Sequence, residues 1–101
     1  MNNSPADDLD LAKAKLNLET SQLPWIDLQR FFASGSLISV AAGLDLVEVA
    51  YQFSIDNKAQ VELWLKAGQV HRVTDAQAMH WLDTNALLWT TVVRPWVLVQ
   101  G

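Results

Sequence analysis

The chain is 101 residues long, 50% apolar and 18% charged, with no cysteine. This composition excludes a disordered tail, a collagen-like fibre and a disulfide-stapled mini-protein, and the length suits one domain around one core. Seven basic residues against eleven acidic ones leave a net charge of -4, the wrong sign for a surface that grips phosphate, so a nucleic-acid partner is not expected.

Met1 to Asp10 carry three aspartates and no cation, a pattern of neither a signal peptide nor a transit peptide, and with cysteine absent a cytoplasmic location is the expectation. Residues 1–6 read as a flexible polar start and residues 7–101 as a single domain. Asp7, Asp8 and Asp10 sit where the positive end of a helix dipole favours them, and Leu9, Leu11, Ala12, Leu16 and Leu18 give a first helix to about Thr20 that lies on a core. Ser21 to Leu23 read as a short joint. Pro24 opens a second helix with Trp25, Leu28, Phe31 and Phe32 on one face, and Gly35 stops it.

Leu37, Ile38 and Val40 between glycines predict a short buried strand. Asp45 followed by Glu48 has the spacing of a capping box, and Leu46, Val47, Val49, Ala50 and Phe53 predict a core helix behind it. A cap-rich cluster, Ser54 to Asn57, separates it from a helix with Val61, Trp64 and Leu65 on one stripe, closed by Gly68. Val70 to Val73 read as a strand, and Thr74 with Gln77 as a second capping box for a helix ending near Asp83. The remainder is strand: Leu87 to Val93 and Trp96 to Val99, with Pro95 at an edge, a bulge or a break because it has no N–H to donate. Thr90, Thr91, Arg94 and Pro95 interrupt this apolar run, which is also shorter than the roughly 18 residues that a membrane helix needs, so no membrane span is expected.

The prediction is therefore an α+β domain of about five helices and a small, mostly antiparallel sheet. Without the first and last helices the order is that of a winged-helix domain. In that alternative the recognition helix is Asn57 to Lys66, and a dimer would gather Lys58, Lys66 and Arg72 from two copies into a basic stripe. Against it, residues 44–68 carry four acids and two lysines.

The stretch LNLETSQLPWIDLQRFF from Leu16, LDLVEVA at 44–50, VELWLKAGQV at 61–70 and LWTTVVRPWVLVQ at 88–100 resemble domain-of-unknown-function family 2288, a small bacterial family, over nearly the whole chain. The resemblance implies one bacterial domain. It brings no activity, ligand or catalytic residue.

No nucleophile elbow, Ser-x-x-Lys pair or Gly-rich phosphate loop occurs, so no catalytic residue and no cofactor are assigned. His71 and His80 are the two histidines, and with no cysteine a metal site would need carboxylates such as Asp75 or Asp83; ordinary, partly exposed histidines are the expectation. Five tryptophans are many for so small a core. Trp25 and Trp64 fall on apolar helix faces, whereas Trp81, beside His80 and Asp83, and Trp96, after Pro95, are the candidates for exposure. Arg94, alone in an apolar run, needs a carboxylate partner or solvent, or else projects with Trp96 from a sheet edge as an anchor. The leading reading is a non-enzymatic domain that acts through a protein partner or as a homodimer built on the terminal strands, with Trp81, Trp96 and Arg94 on its contact surface. A small-ligand pocket beneath Trp64 or Trp81 is a further alternative.

Overall fold

A computed structural model describes residues 5–101 of the chain, with side chains from Asp10 onward. Helix α1 spans Pro5–Glu19, so of the expected loose start, residues 1–4 lie outside the described residues and the helix begins two positions before Asp7. The joint expected at Ser21 to Leu23 is a strand, β1 (Ser21–Pro24), followed at once by α2 (Trp25–Ala33), with Pro24 extended at its N-cap. Gly35, at φ 76°, reverses the chain into β2 (Leu37–Val40); only a residue without a Cβ adopts that conformation at no cost.

Helix α3 (Leu46–Ser54) starts on the Asp45 carboxylate, which accepts from the Val47 and Glu48 N–H groups at 3.0 and 3.4 Å. Only that half of the expected capping box forms. The Glu48 side chain turns away, accepting from Gln52 Nε2 at 3.0 Å and pairing with Lys13 of α1. After α4 (Lys58–Lys66), capped by Asn57, Gly68 at φ 71° leads into β3 (Val70–Arg72). The second capping box is complete: Thr74 Oγ1 accepts from Gln77 N at 3.1 Å and Gln77 Oε1 accepts from Thr74 N at 3.0 Å, opening α5 (Asp75–Asp83). Gln77 Nε2 also donates to the buried Ser39 hydroxyl at 3.0 Å, fastening α5 to β2. The terminal segment is two strands, β4 (Leu87–Val93) and β5 (Trp96–Gln100), with Arg94 and Pro95 in the turn between them.

The five strands form one sheet in the order β1-β4-β5-β2-β3. Three neighbouring pairs are antiparallel and β2 with β5 is parallel. Helices cover both faces, so there are two apolar clusters. On one face Trp25, Leu28, Leu37, Val73, Ala78, Trp81, Leu88, Val97 and Val99 join α2 and α5 to the sheet. On the other Ile38, Val40, Leu46, Val49, Ala50, Trp64, Val70, Val93 and Leu98 pack under α3 and α4, with Leu16 of α1 against them. No described helix is long and apolar enough to cross a membrane.

The element order departs from the winged-helix pattern: β1 precedes α2, β3 bonds to β2 alone, and α5 separates it from β4. No hairpin follows α4 where a wing would lie. The hairpin of this sheet is β4–β5, in its centre.

Candidate functional site

β5 lies between β4 and β2, and β4 between β1 and β5. Neither terminal strand has a free edge, so Arg94 and Trp96 do not project from a sheet edge. The strands that end the sheet are β1, exposed at Ser21 and Gln22, and β3. In the β1–β4 register the backbone groups of Gln22 and Pro24 turn outward, and Pro24 has no N–H to offer. At the other end Val70 of β3 is 0% exposed, and the outward Arg72 carbonyl accepts from His71 Nδ1 at 2.8 Å.

Tryptophan exposure also departs from expectation. Trp81 is 9% exposed, its ring centroid 5.6 Å from that of Trp25, and is core. Its polar sequence neighbours His80 and Asp83 occupy other faces of α5. Trp25 and Trp64 are core as read. The exposed ring is Trp89, at 49%, which the sequence reading passed over; it lines a pocket of about 470 Å³ with Asn17, Thr20, Leu44, Leu46, Val47 and Gln100. Arg94 is exposed in the β4–β5 turn and forms no ion pair among the described residues.

Trp96 instead joins two residues singled out for another reason. On the α3–α4 face a groove of about 490 Å³ is lined by Ile38, Phe53, Val61, Leu65, Val70 and Trp96, with Asp56, Lys58, Glu62 and Arg72 around them. Arg72 opposes Ile38 across the β2–β3 ladder, and its guanidinium stands over the Trp96 ring at 5.9 Å from the centroid. A cation over an indole face is attracted by the ring quadrupole and held in place by it. Lys58 lies 4.0 Å from Asp56 and Lys66 3.5 Å from Glu62. The groove thus has an apolar floor, Arg72 on its sheet side, and Asp56, Lys58 and Glu62 on its helical side. Its volume falls in the range of sites that take small molecules or anchoring side chains. The three cations of the nucleic-acid alternative do not form one basic stripe within a chain, since two of them sit beside acids.

His71 is half-buried and His80 exposed, and no group of three or more His, Asp or Glu residues comes together among the described residues. Among the described residues the one pair of side chains with shifted acidity is Lys13 and Glu48. The hydrogen bond from Lys13, with that from Gln52, holds the Glu48 carboxyl below the usual glutamate range, and the bond to Glu48 raises Lys13. Because the folded-state value of Glu48 is the lower one, its contribution to stability is present above the unfolded value of about 4.3 and is lost as pH falls through the folded value. Glu48→Gln should therefore lower the melting temperature at pH 7 and converge with wild type in acid. Parallel melting curves from pH 7 to pH 3 check this; a constant offset would refute the linkage.

Comparison with known proteins places the chain. The NMR solution structure of PA1075 from Pseudomonas aeruginosa superposes with a TM-score of 0.78 at 38% identity, over 98% of this chain and 92% of that one. No curated protein matches. A family model described as a protein of unknown function, DUF2288, matches residues 11–101. The chain accordingly belongs to the DUF2288 family.

Proposed function

We propose that this domain is a non-catalytic, cytoplasmic binding module that holds a protein partner in the groove between α4 and the sheet. The observation that carries this reading is the convergence there of six apolar side chains, with the Arg72 guanidinium 5.9 Å from the centroid of the Trp96 ring. Aromatic and arginine side chains in apolar clefts dominate the energy of protein interfaces, because they bury much area and still offer directed polar contacts. The lack of cysteine supports the cytoplasmic setting. The acids beside Lys58 and Lys66 disfavour the nucleic-acid alternative.

The test uses immobilised protein and quantitative recovery of bound proteins, comparing wild type with Trp96→Ala, Leu65→Ser and Trp89→Ala. Leu65 is an exposed groove residue, so its variant keeps the test decisive if Trp96→Ala unfolds. Partners retained by wild type and Trp89→Ala should be lost from the two groove variants, with melting temperature unchanged for Leu65→Ser. Retention of the same partners by the groove variants would refute the site. Labelled duplex DNA that binds, and releases steeply with added salt, would move the reading to nucleic acid.

A further inference from the structure

We infer that the occupant of this groove is the carboxyl terminus of a partner polypeptide whose last residue is large and apolar, its α-carboxylate held by Arg72. The inference rests on the reading of the groove as the working surface and adds the chemistry of what enters it.

Charge complementarity points to a carboxylate. Among the described residues Lys58 and Lys66 each lie beside an acid, whereas Arg72 makes no ion pair and its side chain donates to no protein acceptor. Its guanidinium lies 5.9 Å from the centroid of the Trp96 ring, within reach of the ring's quadrupole. With no protein acceptor its N–H donors are free, and the fork they make matches the two oxygens of a carboxylate.

The apolar lining narrows the source of that carboxylate. Ile38, Phe53, Val61, Leu65, Val70 and Trp96 line the cleft that Arg72 borders, so the ligand must carry its apolar bulk within a bond or two of its negative charge. An internal aspartate or glutamate has the charge without the bulk. A C-terminal residue such as Leu or Phe has both on one Cα.

The experiment titrates isotopically labelled protein with two synthetic peptides, acetyl-Lys-Gly-Leu-Phe bearing a free carboxylate and the same peptide as its C-terminal amide, following the Trp96 indole N–H by NMR. The carboxylate form should bind about tenfold or more tightly than the amide, the size of one charge-assisted pair of hydrogen bonds. Arg72→Gln, at an exposed position, should abolish that preference, and Arg72→Lys should retain part of it. Equal binding of acid and amide at Trp96 would overturn the carboxylate inference and leave the groove reading standing. No shift of the Trp96 indole with either peptide at millimolar concentration would overturn the inference as well, while loss of partners from Leu65→Ser would still uphold the groove. Tighter binding of decanoate than of the acid peptide would overturn it in favour of a small aliphatic acid.

Discussion

Trp81→Ala is expected to lower the unfolding free energy by about 3–5 kcal/mol, the usual cost of truncating a core tryptophan, whereas Trp89→Ala should cost no more than about 1 kcal/mol. The two residues are alike in chemistry and differ in cover. The Trp81 ring closes the cluster between α2, α5 and β4, tilted 50° against Trp25, whose own ring lies 5.8 Å from Phe32. Gly101 lies against its outer edge, where a Cβ would meet the indole at 3.5 Å. Alanine would leave a void in the cluster that joins α2 and α5 to the sheet. In a domain of this size each kcal/mol shifts the melting temperature by roughly 4–8 °C, so Trp81→Ala should melt well over 10 °C lower. Urea unfolding of both variants checks the pair. A smaller loss for Trp81→Ala than for Trp89→Ala would mean that Trp81 faces solvent.

Local chemistry made much of this fold readable. Asp45 and Thr74 each place an oxygen on the first N–H groups of the following helix, and Gly35 and Gly68 take left-handed conformations after α2 and α4; such signals act over three or four residues and survive without knowledge of the rest. Burial is a different matter. Trp81 looked exposed because His80 and Asp83 adjoin it in sequence, but residues one and two apart on a helix point to different faces. Strand β1 was missed because Ser21 to Pro24 has no strand character of its own; its extended form comes from pairing with β4. The Arg72–Trp96 pair was the least legible feature. Its members meet only because β2 lies between them, parallel to β5 and antiparallel to β3, a register that no local pattern encodes. Lys58 and Arg72, read for charge, and Trp96, read for exposure, were assigned to two separate surfaces, whereas they line one groove.

Thr91→Val is expected to act in the opposite direction and stabilise the domain by about 1–3 kcal/mol. Thr91 is 1% exposed, and its hydroxyl has no hydrogen-bond partner among the described residues. A buried polar group left unpaired costs that amount relative to the same group in water, and an apolar group of the same shape removes the cost. The position invites a methyl: Thr91 opposes Leu98 across the β4–β5 ladder, on the face where Val93 and Leu98 pack under α3. Valine keeps the branched Cβ that a strand favours. The adjacent Thr90 is the internal control. It lies on the other face, is also buried, and its hydroxyl donates to the Leu88 carbonyl at 3.0 Å, so Thr90→Val forfeits a made bond of about 0.5–1.5 kcal/mol. Neighbouring threonines replaced in the same way should thus move the melting temperature apart, Thr91→Val upward and Thr90→Val downward. A fall for Thr91→Val comparable to that of Thr90→Val would show that its hydroxyl is hydrogen-bonded in solution.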